Sequence, residues 1–195
     1  MAEIKLNQAT GIPIPSEQNI SRASIHYREV KISLFDRSLD KFIGNTVNIP
    51  AYWKTEYEDR WYFMKGASSN NEANFYLKLE EIDDNKITNI SLIIEFVIYF
   101  SKSNKLLDIS CGYTSMDLVN INAKGSTKIK LNLEGGAPNK KLAIRKEDVK
   151  TDRTGWRKIV KKISKNINSE LELDIISGKS LPNNVTVYKK SEKLN

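Results

Sequence analysis

The residues best suited to binding a ligand are basic and lie in one segment. Between Lys140 and Lys165 the chain has eleven Lys or Arg and three acidic residues, which leaves 20 of its 31 basic and 21 of its 24 acidic residues elsewhere. Such a cluster attracts phosphate and carboxylate groups, so it is a candidate surface for anionic lipid, nucleic acid or an acidic protein. The candidate binding residues are Lys140, Lys141, Arg145, Lys146, Arg153, Trp156, Arg157, Lys158, Lys161, Lys162 and Lys165.

Part of this segment has the pattern of an amphipathic helix. Over residues 154–167 the apolar residues recur every three or four positions, which predicts one apolar face and one basic face. The helix could lie on an anionic membrane with Trp156 at the interface, or it could pack its apolar face on the domain. Inward packing is favoured, since amphipathic helices of small domains usually cover a core. The lysines are expected to be exposed in both cases.

The sequence offers little for catalysis or metal binding. Four aspartates, Asp36, Asp40, Asp83 and Asp84, fall in predicted loops and could converge on calcium, but no loop has the spacing of a calcium-binding hand. Turn formation explains these aspartates better. His26 lacks a sequence neighbour that would make it a base or a ligand, and Cys111 is in phase with a buried strand. We therefore predict no enzymatic activity, no cofactor and no metal.

Aromatic residues are concentrated in one short stretch. Six of the seventeen aromatic residues fall within twelve positions, which could form a stacking platform for bases or a patch for a partner. The interspersed acids Glu56, Glu58 and Asp59 would repel phosphate, so packing in the core or at a sheet edge is favoured. The six are Tyr52, Trp53, Tyr57, Trp61, Tyr62 and Phe63.

Alternation of apolar and polar residues predicts the fold. The block from Ser91 to Pro138 has the pattern of three consecutive strands, the first of them buried on both faces, with a bulge near Thr114 or Ser115 in the second. About eight short strands are expected in all, including one that Pro50 ends. The sequence thus predicts a mainly β protein, an antiparallel C2-like or jelly-roll-type sandwich with one basic amphipathic helix near 154–167.

Composition indicates how the chain is organised. Gly11, Pro13 and Pro15 favour an extended arm over residues 1–24, followed by a single domain over 25–190 and a tail over 191–195. With 195 residues and 39% hydrophobic content, one core is the expected number. No secretory signal or run of eighteen apolar residues is present, and there is one cysteine, which together predict a cytoplasmic protein.

Small residues in the central block carry a resemblance to a known family. Glu95, Ile98 and Tyr99, then the Ser110 to Gly112 triplet, then Gly135, Gly136 and Pro138 resemble the order and approximate spacing of the C-terminal region of the nephrocystin family, proteins of the ciliary transition zone. The resemblance implies a C2-like sandwich that associates with proteins at the ciliary base. It also implies a domain without catalysis.

Two hypotheses about function follow. The first is a non-enzymatic interaction module that binds protein partners and an anionic membrane surface, with localisation at a membrane or the base of a cilium. The alternative is a small basic viral structural or movement protein, such as a matrix, coat or transport protein, for which nucleic acid would be a partner. A homo-oligomer is compatible with either hypothesis.

Overall fold

The described residues form nine strands. The computed structural model describes residues 2–14, 24–63, 73–77, 87–121, 126–138 and 168–177. A short 3₁₀ turn, Leu118–Asn120, follows the seventh strand. The strands are β1 Ala2–Thr10, β2 Ile25–Asp36, β3 Lys41–Lys54, β4 Tyr57–Tyr62, β5 Asn74–Leu77, β6 Ile90–Lys102, β7 Lys105–Asp117, β8 Ser126–Asn132 and β9 Glu170–Ser177.

All strand pairs are antiparallel, and they follow one continuous path. The order is β7-β6-β2-β3-β4-β1-β9-β8, with β5 beside β1. The path curls, because Tyr113 of β7 and Glu134, just after β8, exchange backbone hydrogen bonds of 2.8 and 2.7 Å. The prediction of a mainly antiparallel β protein is confirmed. The finer prediction, a C2-like or jelly-roll sandwich, remains a prediction.

Strand β6 is buried on both faces, as its sequence predicted. On the inner face Ile94 and Phe96 have no exposed surface, and on the outer face Ile93 and Val97 are also buried. The inner side chains join apolar residues of β1, β2, β4 and β9 in one core cluster. In particular the Phe96 ring meets the Trp61 ring of β4 edge-on at 5.3 Å. The two halves of the curled path therefore pack against each other.

The beginning of the chain differs from the predicted arm. Residues 2–10 form β1, which pairs with β4, β5 and β9. Ala2, Ile4 and Leu6 are completely buried, because their alternation with polar neighbours fits a strand with one face in the core. The Gly and Pro signals that favoured an arm begin only at Gly11, after the strand has ended.

Strand β3 continues past Pro50, where the sequence predicted its end. Pro50 is aligned with Glu29 of β2, and two residues later Tyr52 is aligned with Tyr62 of β4. Proline has no N–H to donate, so it fits best where a strand changes partner. The predicted stop is thus the point at which β3 passes from β2 to β4.

The predicted bulge in β7 exists at a different residue. Phe96 pairs with Gly112 while Val97 pairs with Ser110, so Cys111 is the extra residue of β7. This bulge, rather than one at Thr114 or Ser115, changes which face the alternate side chains of β7 occupy.

Several predictions fall on residues that the structure does not describe. The predicted helix near 154–167, Asp83, Asp84 and the tail 191–195 all lie outside the described residues. Within the described ranges, no helix is long and apolar enough to cross a membrane.

Replacing Gly112 tests the closure between β7 and the segment after β8. Gly112 has φ +141°, and an added Cβ would lie 2.8 Å from the carbonyl oxygen of Glu134. We expect Gly112→Ala to lower the free energy of unfolding by at least about 3 kcal/mol, since strain and a backbone clash add. Gly44→Ala is the control, because Gly44 has φ +72° but open space around its Cβ position. It should cost only about 1–2 kcal/mol in urea unfolding; equal losses would contradict the close approach.

Candidate functional site

The binding residues predicted from the sequence cannot be placed. All eleven of them, from Lys140 to Lys165, lie in the range 139–167, outside the described residues. The basic binding surface therefore stays a prediction. Elsewhere the structure reveals a different candidate, which is built on a buried arginine.

Arg28 of β2 lies inside the end of the curled sheet. Its side chain is 2% exposed, and the guanidinium carbon lies 4.3 Å from the ring centroid of Trp53 and 5.4 Å from that of Trp61. One guanidinium nitrogen donates a 2.6 Å hydrogen bond to the backbone carbonyl of Glu58. Because Trp53, Glu58 and Trp61 belong to the β3–β4 hairpin, Arg28 fastens that hairpin to β2.

The surroundings of Arg28 act on its charge in opposite directions. Burial lowers the pKa of Arg28, while the carboxylate of Glu58 and the neighbouring Cys111 oppose this effect. Two aromatic faces and a carboxylate favour a cation at this position. Since the guanidinium is planar and makes several directed contacts, the hairpin is held in one orientation.

The aromatic stretch is divided between core and surface. Trp61 and Phe63 are buried, as core packing predicts, and Trp53 and Tyr62 are half-buried. Tyr52 and Tyr57, however, are 39% and 46% exposed. The preference for core packing is therefore correct for part of the stretch only. The exposed tyrosines stand on the hairpin that Arg28 fixes.

The hairpin between β6 and β7 presents two leucines at the same end of the sheet. Ser103 and Asn104 both have positive φ, as a tight two-residue turn requires. Leu106 is 56% and Leu107 40% exposed, at the level of the last β2–β6 pair or beyond it. The alternation of residues in the sequence does not single out these leucines. The feature that could have identified them is the Ser103-Asn104 turn, because a tight turn there places both leucines at or beyond the end of β2.

Tyr27 lies between the two hairpins. It is 42% exposed and stacks on Tyr99 at 4.1 Å between ring centroids. Tyr99 donates a 2.6 Å hydrogen bond to Glu29, and burial together with this bond raises the pKa of Tyr99 to about 12. Lys31 lies over the Tyr99 ring and pairs with Asp108 at 3.2 Å. These contacts hold Tyr27 in place.

We call this surface the hairpin end. Of the eight large apolar side chains that are exposed in the described ranges, five lie here. The outer strands of the surface, β7 and β4, are four strand spacings apart, or about 19 Å. A span of this size suits a docking surface for one partner. Its members are Tyr27, Tyr52, Tyr57, Leu106 and Leu107.

Charges of both signs surround the hairpin end. Arg60 lies 4.8 Å from the Tyr57 ring centroid, and Lys54 lies 6.0 Å from that of Tyr62. The acids Glu56 and Asp59 are exposed on the same hairpin. On the β3–β4 hairpin these opposite charges balance, which agrees with the sequence argument against base stacking by its aromatic residues.

The other residues considered from sequence have local roles. Asp36 accepts hydrogen bonds from the backbone and hydroxyl of Ser38, at 2.8 and 2.6 Å, and from the backbone of Leu39, as a turn-forming aspartate does. The His26 ring lies within hydrogen-bond distance of the Ser101 hydroxyl. Among the described residues, no group of three or more His, Cys, Asp or Glu could hold a metal ion.

Comparisons with known proteins add little to this geometry. No protein-family model matches the chain, and no curated protein matches it. A solved structure described as "CC2D1B coordinates ESRCT-III activity during the mitotic reformation of the nuclear envelope" aligns with 90% of this chain and 53% of that one, at 10% identity and a TM-score of 0.44. Our chain thus spans about half of that solved chain, and a likeness this low carries no argument. The nephrocystin resemblance stays a prediction.

Removing the Arg28 side chain tests its role as the anchor of the hairpin end. Arg28→Ala loses a charge-assisted hydrogen bond and two cation–aromatic contacts, so we expect the free energy of unfolding in urea to fall by about 3 kcal/mol. Arg28→Lys should recover little, since an ammonium cannot reproduce the planar contacts. Lys130→Ala is the matched control: its pair with Glu170 is exposed, so the loss should stay under about 1 kcal/mol. Similar losses for Arg28→Ala and Lys130→Ala would refute the anchor.

The buried thiol predicts a pH dependence of stability. Burial raises the pKa of Cys111 to about 12, above its unfolded value of about 8.5. The protonated thiol therefore stabilises the fold fully below the unfolded pKa, and this contribution is lost as pH rises toward the folded pKa. Between pH 9 and pH 10.5, unfolding free energies of the wild type should fall more steeply than those of Cys111→Ala, by about 1.4 kcal/mol per pH unit. Parallel pH profiles would contradict this.

Proposed function

We propose that this chain is a non-enzymatic interaction module, built on a C2-like sandwich, that binds a protein partner through the hairpin end. The observation that carries the proposal is the grouping of five exposed apolar side chains on two hairpins and the strand between them. Single exposed leucines are ordinary on protein surfaces, whereas five of the eight exposed apolar side chains at one end of the sheet indicate a contact surface.

The composition of the hairpin end favours a protein over a nucleic acid. Tyrosine and arginine are enriched where binding energy is concentrated in protein interfaces, and Tyr57 with Arg60 is such a pair. The acids Glu56 and Asp59 would repel a phosphate backbone. Little side-chain or backbone freedom is left to lose on binding, because Arg28 and the tight turn already fix both hairpins.

An anionic surface is a second proposed contact of the same module. Its support is the excess of basic residues between Lys140 and Lys165. Attraction between exposed charges weakens as salt rises, so this contribution would be seen as a loss of affinity at higher ionic strength. Contacts of the apolar hairpin end would be much less sensitive to salt.

Alanine substitution tests the protein-binding surface. Proteins retained by the immobilised wild-type chain would be identified, purified and titrated against wild-type and Tyr52→Ala/Tyr57→Ala chains. We expect the double variant to weaken binding at least tenfold, which corresponds to about 1.4 kcal/mol, since exposed aromatic anchors carry much of an interface's energy.

A change on a strand that contributes nothing to the hairpin end is the control. Lys130→Ala removes an exposed side chain from β8 and should leave the same affinity unchanged. Unchanged binding by the tyrosine variant would exclude the hairpin end as the contact. Both variants should unfold in urea like the wild type, because the replaced side chains are exposed.

A further inference from the structure

The first half of β7 forms one edge of the sheet. β7 pairs with β6 on one side, and on its other side Tyr113 exchanges backbone hydrogen bonds with Glu134. Nearer the turn, the Ser110 hydroxyl donates to the carbonyl of Gly136 at 3.3 Å. Among the described residues, nothing pairs with β7 on this side over residues 105–109. We call residues 105–109 the free edge.

The tight turn determines which backbone groups of the free edge face outward. In a hairpin with a two-residue turn, the flanking residues Lys102 and Lys105 form a hydrogen-bonded pair, and every second residue after them also bonds to the neighbouring strand. The residues between them, Leu106 and Asp108, therefore direct their N–H and C=O groups away from β6. These groups are two donors and two acceptors at the spacing of a strand.

The closure of the path supports this assignment independently. Because the bulge at Cys111 adds one residue to β7, the same count along the strand predicts that Tyr113 faces away from β6. Its N–H and C=O do so, since both bond to Glu134. The same side of β7 thus already accepts an extended segment by antiparallel backbone pairing.

The side chains of the free edge favour an apolar strand. Leu107 and Ile109 lie on the inner face of the sheet, aligned with the buried Phe100 and Ile98 of β6. Leu107 is 40% exposed and Ile109 is half-buried, so the margin of the core is incompletely covered here. The inward-facing side chains of an added strand would cover both residues, and apolar side chains gain most from doing so.

The edge strand at the other end of the path is protected in a way that the free edge is not. Lys128 and Lys130 of β8 pair with Glu172 and Glu170 of β9 on exposed surface. Lysines and prolines on edge strands discourage pairing with other chains. Within the free edge, the sequence has one lysine, beside the turn, and no proline.

We infer that the free edge of β7 accepts an extended strand of a protein partner, which lengthens the sheet by one strand. This inference deepens the proposed function and rests on it, because Leu106 and Leu107 belong to the hairpin end. The outward N–H and C=O groups specify an extended main chain, which a lipid surface does not offer. Charge selects neither sign of partner, since Asp108 is paired with Lys31 at 3.2 Å and Lys105 is exposed nearby.

A second copy of this chain fits the free edge poorly. Antiparallel pairing of two copies centred on Asp108 would place two carboxylates opposite each other, which is unfavourable. Pairing displaced by one step would place each Leu106 opposite a carboxylate. A strand from a different protein avoids both arrangements.

Hydrogen exchange of the whole wild-type chain, followed by NMR, tests this inference. Peptides would be selected on that chain from a random library displayed on phage, and then added at saturation. We expect the amide protons of Leu106 and Asp108 to exchange fast in the free chain and at least about tenfold more slowly with peptide bound, because each then donates to the added strand. The amides of Leu107 and Ile109 should be protected already in the free chain, since they donate to β6.

Matched proline substitutions give a second test. Asp108→Pro removes an outward N–H and keeps the bonds to β6, so it should weaken peptide binding at least about tenfold. Asp108→Ala keeps that N–H and should weaken binding less. Lys130→Pro is the control on β8: because Leu133 donates to the carbonyl of Ser169 at 3.0 Å, alternation directs the N–H of Lys130 away from β9, and peptide affinity should not change.

The outcomes separate this inference from the proposed function. If no selected peptide slows exchange at Leu106 and Asp108, strand addition is refuted, whereas the titration of Tyr52→Ala/Tyr57→Ala still decides the proposed function. Slow exchange of these amides in the free chain would also refute it: the occupant is the chain itself if protection is independent of concentration, and a second copy if protection rises with concentration. Slower exchange with peptide, combined with unchanged protein binding by the tyrosine variant, would support strand addition and count against the tyrosine contact alone.

Discussion

A guanidinium enclosed by two indole rings is the interaction on which the end of this sheet depends. A buried charge without partners would be expelled or would destabilise the fold, so Arg28 requires Trp53, Trp61 and the Glu58 carbonyl around it. These groups all belong to the β3–β4 hairpin, which is otherwise paired over few residues. The arginine thus fixes the orientation of a short hairpin, and with it the positions of the exposed Tyr52 and Tyr57.

The other constraint is the closure of the path between β7 and the segment after β8. Only a glycine at position 112 lets the Glu134 carbonyl approach so closely, and the bulge at Cys111 directly precedes it. Large apolar side chains along the middle of the strands are buried or half-buried, and all eight that are exposed in the described ranges lie near strand ends or in turns.

Local pattern was enough to predict most strands, because alternation is a property of neighbouring residues. The strands of the block from Ser91 to Pro138, with β6 buried on both faces, follow from it. Strand β1 is not predicted, because the Gly and Pro residues that begin at Gly11 indicate an extended arm and obscure the alternation before them. The burial of Arg28 could not be predicted, because it depends on a hairpin thirty residues away. The candidate site could not be predicted for the same reason. Leu106 is exposed because β2 ends beside it, and the place where a neighbouring strand ends depends on register.

The hairpin end and the opposite end of the sheet are ordered by different interactions. The hairpin end is broad and aromatic, and its order comes from a buried cation and a stacked tyrosine pair. The β2–β3 turn at the opposite end is ordered by carboxylates: Asp36 accepts hydrogen bonds within the turn, and Asp117 of β7 accepts one from Arg37. Because hydrogen bonds from Ser38 and Leu39 hold the pKa of Asp36 below its ordinary value, this carboxylate keeps its charge to a lower pH than an ordinary aspartate does. A broad aromatic platform suits an extended protein interface. The fold thus orders its two ends by interactions of unlike chemistry, a buried cation at one and carboxylate hydrogen bonds at the other.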